Sequence, residues 1–516
     1  MKIHVVMLAL HAILSLRLTA TAKDAWLPYD SSDGVQPRVM ITDYGAVPDN
    51  CTMNTAAIAS AFDACVALGG GLVEVPPGRF LTGQVELRSG CYLTLHRGGI
   101  LQATTNISEY SVSDNVAWSA QTHYLVTGRR VRNSGVVAPP GVVSGGELRG
   151  TMWQSIASYE PSTNSFNKRY PGATIGNMLF EDAVNISVIG VRITHSGFWT
   201  QTFRRCRNVL EEKVWVEGSV QWGTADGLDV ESGYNLTFRD STFKTGDDCL
   251  AFRSGSYEKS PVWPSGAIQP VHRVRISNMS LTSSSSAIKF EASTVSNRTD
   301  VGDIFDIEIN GVRIRDTNRG IGIWQRSGER RSMSGKGRIR DILIRNVDSV
   351  TRFDSKPQFW GSGEPFVLTV LPRNGDCCVG LQNITLANIT AVAENSALIS
   401  SLGTPSAPGA SVPPPIGGVR LMNVSITIKK TGNTSRPQLD YRPSSTVLPQ
   451  TVPNLVAGIV IENVNDIELE HKGGVRFSPL LGPGKQAYWG MSCLNASASS
   501  HVHVEAGWTC ANATHR

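Results

Sequence analysis

Five aspartates fall between Thr224 and Phe252: Asp226, Asp229, Asp240, Asp247 and Asp248. The residues around them alternate as a buried strand does. Asp247 and Asp248 are adjacent within an apolar run, a costly setting for two carboxylates. Like charges held close repel, so one of the pair is pushed to a higher pKa than its neighbour. A protonated acid beside an ionised base is what cleavage of a glycosidic bond needs. The plain alternative is a set of turn aspartates, because Asp is common in turns and "TGDD" resembles a strand-to-turn junction. The clustering of four of the five weighs against it.

Such residues need elements that bring them together. From about Asn177 the chain repeats a unit of the form apolar-x-apolar-x-(Asn/Asp)-apolar-x-apolar, as in "NMLFEDAVNISVIGVRIT", "GLDVESGYNLTFRDSTFKTG" and "IFDIEINGVRIRDT". Short strands at a loose period, ending in Asn or Gly, are the mark of a β-solenoid whose coils bury inward side chains against each other. A propeller would need longer blades. The expected fold is therefore all-β: one right-handed parallel β-helix with a short N-terminal capping helix. That helix is expected from about Thr55 to Leu68, capped by Asn54, with Ile58, Phe62, Cys65 and Val66 on its apolar face and Gly69–Gly71 ending it. One coil returns the chain to the same side, about 4.8 Å higher. Asp226 and Asp247 lie 21 residues apart, close to one coil, and are expected to stack with Asp248 beside them.

These residues carry a resemblance. "SGFWTQTFRRCRNV", "TADGLDVESGYNLTFRDSTFKTGDDCLAFRSG" and "NRGIGIWQRSG" are similar in order and spacing to glycoside hydrolase family 28, the polygalacturonase family of parallel β-helix pectinases. With the opening "DYGAVPDN", the resemblance runs over roughly residues 38–470. It implies single-displacement inversion by three aspartates, with no metal and no cofactor. Asp247 would be the general acid, and Asp226 and Asp248 would hold and deprotonate the attacking water. Of the family's Asn-Thr-Asp only the aspartate of Thr224-Ala225-Asp226 is kept. Arg253 stands where the family often has Lys. The Gly-His-Gly histidine is replaced by Ser285 or Ser286, and Arg-Ile-Lys reads Gly322-Ile323-Trp324. The substrate-binding residues expected are Arg253, Lys289, Glu291, Trp324 and Arg326, with Lys289 and Arg326 replacing the lost cations from shifted positions. The alternatives are an exposed Lys289–Glu291 pair and a Trp324 that only packs. Trp199, Tyr257 and Trp263 flank the cluster, Trp199 with a core role as its alternative, and His272 opens a strand.

Composition bounds the remainder. The chain has 516 residues, 18% of them charged, and a formal net charge of +5. No dense Lys/Arg tract with interleaved aromatics occurs, which argues against nucleic-acid binding. Residues 1–22 read as a signal peptide, with a basic start, an apolar run from Val5 to Leu16 and Ala20-Thr21-Ala22 as the cleavage site. Residues 23–482 are then the catalytic β-helix and 483–516 a disulfide-pinned tail. Twelve Asn-x-Ser/Thr sequons and nine cysteines fit a secreted glycoprotein. Cys51 with Cys65, and Cys493 with Cys510, are the local bridges expected, while Cys377-Cys378 and the odd total leave a thiol over. The resemblance implies a pectic polysaccharide as partner; no nucleic acid, no membrane once the leader is removed, and a monomeric state are expected. Three other functions stay open. They are a rhamnogalacturonan or other branched-polymer hydrolase, a pectate-lyase-like enzyme using Ca²⁺, and a non-catalytic wall-binding solenoid.

Overall fold

The computed structural model describes residues 36–112, 121–151, 174–218, 223–254, 270–292, 302–326, 337–352, 361–371, 380–401 and 416–429. Short pieces elsewhere are described too, among them the strands beyond 458. The chain winds into a right-handed parallel β-helix. One 34-stranded sheet wraps around the molecule. Its pairings run parallel, apart from Asp114–Asn115 against Gln121–Arg129. The ladder continues past residue 482, where Met491–Leu494 pairs with Ile459–Glu462 and His501–Val504 with Asp466–Glu470.

Strand alternation sets the inside and the outside. On one face of the coil, Phe180, Phe203, Val230, Phe252, Phe290 and Ile323 lie in register and point inward. Phe180 stacks on Phe203 at 5.4 Å between centroids and Phe252 on Phe290 at 4.9 Å. Each such ring contributes about 1.5–3 kcal/mol of burial. The residue after each inward position faces outward. This places Glu181, Arg204, Glu231, Arg253, Glu291 and Trp324 in one outer column, one per coil.

The recurrent Asn/Asp of the repeat forms the corners. Asn133, Asn185, Asn208 and Asn235 occupy one corner in left-handed backbone, at φ from 51° to 59°. Each side-chain amide donates to the one below at 2.8 Å. Asn310, Asn346, Asn388 and Asn423 form a second such ladder. Asn tolerates this backbone region better than most residues, and stacking answers the amide groups that a tight corner would leave bare.

The N-terminal end is closed by the helix Thr55–Ala67, whose Ile58, Ala61, Phe62 and Cys65 are buried. Two details differ from the sequence reading. Val66 is 48% exposed, because it sits one position off the buried stripe. Asn54 makes no side-chain cap bond. Its amide instead ties Val47, Thr52 and Leu81 together. The expected Cys51–Cys65 bridge is also corrected. Cys65 bonds to Cys91 of the strand Cys91–Leu95, which passes beneath the helix, while Cys51 stays exposed and unbridged. Residues 1–35, Cys377, Cys378 and Cys510 lie outside the described residues.

Candidate active site

The acids sit in the turns that enter the outer column. Asp226 lies between the strands Trp215–Glu217 and Leu228–Arg239, and Asp247 and Asp248 between Thr242–Thr245 and Leu250–Ser254. Leu228 pairs with Leu250, and Gly227 N–H donates to the Asp248 carbonyl at 2.9 Å. The coil offset here is thus 22, not 21. Asp226 is level with Asp248, and Asp247 stands beside Ala225, whose carbonyl accepts from its N–H at 3.3 Å. Gly227 is required at the crossing, because a Cβ there would come within 2.5 Å of the Phe243 ring. Hydroxyls of Thr245 and Ser283 donate to the Asp247 carbonyl at 2.6 and 2.5 Å and hold the turn.

The three carboxylates converge. One oxygen from each of Asp226, Asp247 and Asp248 lies within 4.8 Å of the other two. Asp226 and Asp248 are 1% exposed, and Asp247 is half-buried, so it is the acid of the three that reaches the surface. Asp248 is the most firmly held. It accepts from the Ser285 hydroxyl at 2.9 Å, from the Ser286 N–H at 3.1 Å and from Lys289 Nζ at 3.0 Å. The two serines at the absent histidine's place thus both bond this carboxylate.

Arg253 binds Asp229, approaches Asp226 at 3.5 Å and Glu291 at 4.0 Å, and lies over the Trp199 ring at 4.9 Å. Lys289 bridges Asp248 and Glu291, the latter at 3.4 Å. Arg253, Lys289 and Glu291 are buried, so Lys289 and Glu291 are a covered pair on the outer side of the coil, not an exposed one. Burial pushes the Asp226 carboxyl well above its usual range, and Asp229, Asp247 and Asp248 add to this, against the pull of Arg253. Burial likewise raises Asp229 to about 7, opposed by Arg253.

Trp324 is 1% exposed. Its ring lies over Gly322, where a Cβ would meet it at 1.9 Å, with Lys289 Nζ 5.5 Å and Arg319 Cζ 5.2 Å from its centroid. The indole therefore packs against protein cations and has no open face for a sugar. Arg326 ends the strand Arg319–Arg326, and its side chain lies outside the described residues, as do Tyr257 and Trp263. His272 stacks between Tyr234 and Phe305, in a strand that follows a corner of the coil. Trp199 is buried against Phe198.

The sequence reading counted Asp229 in the cluster without giving it a role, and it passed over Arg204 and Glu231. Asp229 anchors Arg253, and the buried Arg204–Glu231 pair continues the column. The signal was available in the register, since Arg204, Glu231, Arg253 and Glu291 alternate in sign once the coil offsets are known.

The comparisons agree with this architecture. The chain spans 84% of an exopolygalacturonase of Zea mays, at 24% identity over 76% of its own length. It spans 64% of a polygalacturonase of Prunus persica, at 28% identity over 54% of its own length. Among solved structures, the family 28 exopolygalacturonase of Yersinia enterocolitica superposes with a TM-score of 0.59, at 17% identity, covering 89% of this chain and 78% of that one. The endo-xylogalacturonan hydrolase of Aspergillus tubingensis superposes at 0.50, with 13% identity, covering 92% and 99%. The family model described as glycosyl hydrolases family 28 matches residues 65–356, more than half of the chain and all of the carboxylate cluster. This chain belongs to that family.

Proposed function

We propose that the protein is a secreted glycoside hydrolase that cleaves a pectic, galacturonic-acid-containing polysaccharide. In this reading Asp247 protonates the leaving oxygen, and Asp226 and Asp248 hold and deprotonate the attacking water. The observation that carries the reading is the convergence of three carboxylates from two adjacent coils, with one at the surface and two buried behind it. Two features support the division of labour. Asp226 Oδ1 has no hydrogen-bond partner among the described residues, so it is available to a water. The raised pKa of Asp226 makes it a stronger base once ionised, which suits a group that must take a proton near the working pH. Secretion is supported by the apolar leader-like start and by the Cys65–Cys91 bridge.

Charge bears on the substrate. Arg253 and Lys289 are both engaged by acids of the site. A sugar carboxylate would have to compete for them, which favours a branched or rhamnogalacturonan-type polymer over plain polygalacturonate. The same pairing disfavours a Ca²⁺-dependent lyase, since a dication would have to displace both cations.

One experiment separates these readings. The purified protein is incubated with polygalacturonate, methyl-esterified pectin and rhamnogalacturonan, and the first-formed product anomer is read by proton NMR. Direct displacement gives the inverted anomer, and a covalent route gives retention. An unsaturated, ultraviolet-absorbing product would support the lyase reading, and tight binding without product the wall-binding one. Asp247→Asn is expected to lose about 10²–10⁴-fold in kcat. Retained turnover would remove Asp247 from the mechanism.

A further inference from the structure

The sequon excess and the corner ladders are the same residues seen in two ways. Asn185, Asn235, Asn278, Asn383, Asn388 and Asn423 each begin an Asn-x-Ser/Thr sequon, and each is a corner residue at φ between 51° and 59°. The residue after each, namely Ile186, Leu236, Met279, Ile384, Ile389 or Val424, points into the core. The Ser or Thr that follows is not buried in the core, save Ser187. A left-handed corner followed by strand alternation therefore favours Asn-apolar-outward on its own, and the fold accounts for six of the twelve sequons without reference to sugar.

The side-chain amides are also in use. Asn185 donates to Asn133, Asn235 to Asn208, Asn278 to Asp240, Asn383 to Asp341, Asn388 to Asn346 and Asn423 to Asn388, at 2.6–3.1 Å. N-glycosylation joins Nδ2 to the anomeric carbon of a lipid-linked oligosaccharide. The bond from that carbon to the pyrophosphate breaks, and Nδ2 gives up one proton. A pyranose at a ladder position would sit one strand spacing, about 4.8 Å, from the amides above and below. It would crowd the corner on which the next coil must close.

Two sequons stand apart. Asn106 is exposed and opens the turn Ile107–Glu109. Its Oδ1 accepts from the Ser108 N–H and hydroxyl at 3.3 and 2.9 Å, while its Nδ2 donates to nothing among the described residues. Asn50 shares the left-handed backbone, at φ 59°, but its amide joins no ladder among the described residues; it lies in the fully exposed strand Asp49–Met53 of the first coil, whose pairing is interrupted between Asp49 and Met53.

We propose that Asn106 and Asn50 are the N-glycan sites among the described residues, and that the six corner sequons stay unmodified because their amides build the ladders. Natural occupancy rests on the secretion reading, so the test supplies entry independently. The full chain is expressed in a eukaryotic host behind a heterologous signal peptide. The secreted protein is then treated with a peptide amidase in ¹⁸O-water, and peptides are read by mass spectrometry. The ¹⁸O-aspartate tag is expected at Asn106 and Asn50 and at none of the six. A tag at any corner asparagine, or none at Asn106, overturns the proposal. A native-leader arm that stays inside the cell while the heterologous arm shows the expected tags would count against native secretion alone. Two variants separate sequon from ladder. Thr237→Ala erases the Asn235 sequon and is expected to leave the attached glycan mass and the melting temperature unchanged. Asn235→Ala is expected to lower the melting temperature with no loss of glycan.

Discussion

At the scale of the residue, the chemistry turns on how Arg253 shares its charge. It binds Asp229, reaches Asp226 at 3.5 Å and draws down the raised pKa values of both acids. A base must be ionised to act, so activity on the acid side falls where Asp226 takes up its proton. Arg253→Gln removes the opposing charge, and Asp226 holds its proton to higher pH. The acid limb of kcat/KM is expected to move upward by about one unit, the low end of what one opposite charge contributes. Arg253→Lys should recover part of that shift. If Arg253 only braced the column, the variant would lose activity evenly across pH with the limb unmoved.

At the scale of the element, the capping helix and the corners carry the lesson about legibility. The repeat showed in the sequence because inward apolar positions and corner asparagines are fixed by backbone geometry, whatever the coil length. The helix showed for the same reason, since Asn54 to Gly71 is a local signal. What stayed hidden was anything set by the offset between coils. The offsets vary with the insertions, so Asp226 was matched to Asp247 when the register brings it level with Asp248. The outer charge column could not be assembled without them. The bridge failed similarly: Cys51 is nearer to Cys65 along the chain, but Cys91 is the residue that the next coil carries under the helix. This correction has its own test. Replacing Cys65 and Cys91 together by Ala is expected to cost about 2–4 kcal/mol, read as a lower midpoint in urea. Cys51→Ser should leave the midpoint where it is.

At the scale of the whole molecule, the pH dependence of stability follows from protons held inside the coil. Glu211 is fully buried, in register between Val188 and Phe238 of the core. Burial drives its carboxyl up to about 8, and the neighbouring Gln201 amide only partly offsets this. Between about pH 4.5 and pH 8 the folded chain therefore keeps a proton here that the unfolded chain releases. Stability contributed by this group is full below the unfolded value and is lost as pH rises through the folded one. Asp229, raised to about 7, acts with the same sign. Glu212 acts oppositely: burial lifts it, but Lys213 and Arg239 outweigh that and hold it low, so its contribution fades only on the acid side. The melting temperature is expected to peak in the weakly acidic range and to fall toward pH 8. Glu211→Gln keeps the shape of the side chain and removes the titration. The variant should match the parent near pH 5 and exceed it near pH 8, by on the order of a few kcal/mol at most. The measurement is a series of thermal melts across that range for both proteins. Parallel curves, or a parent that gains stability toward pH 8, would show that the interior acid does not govern the balance.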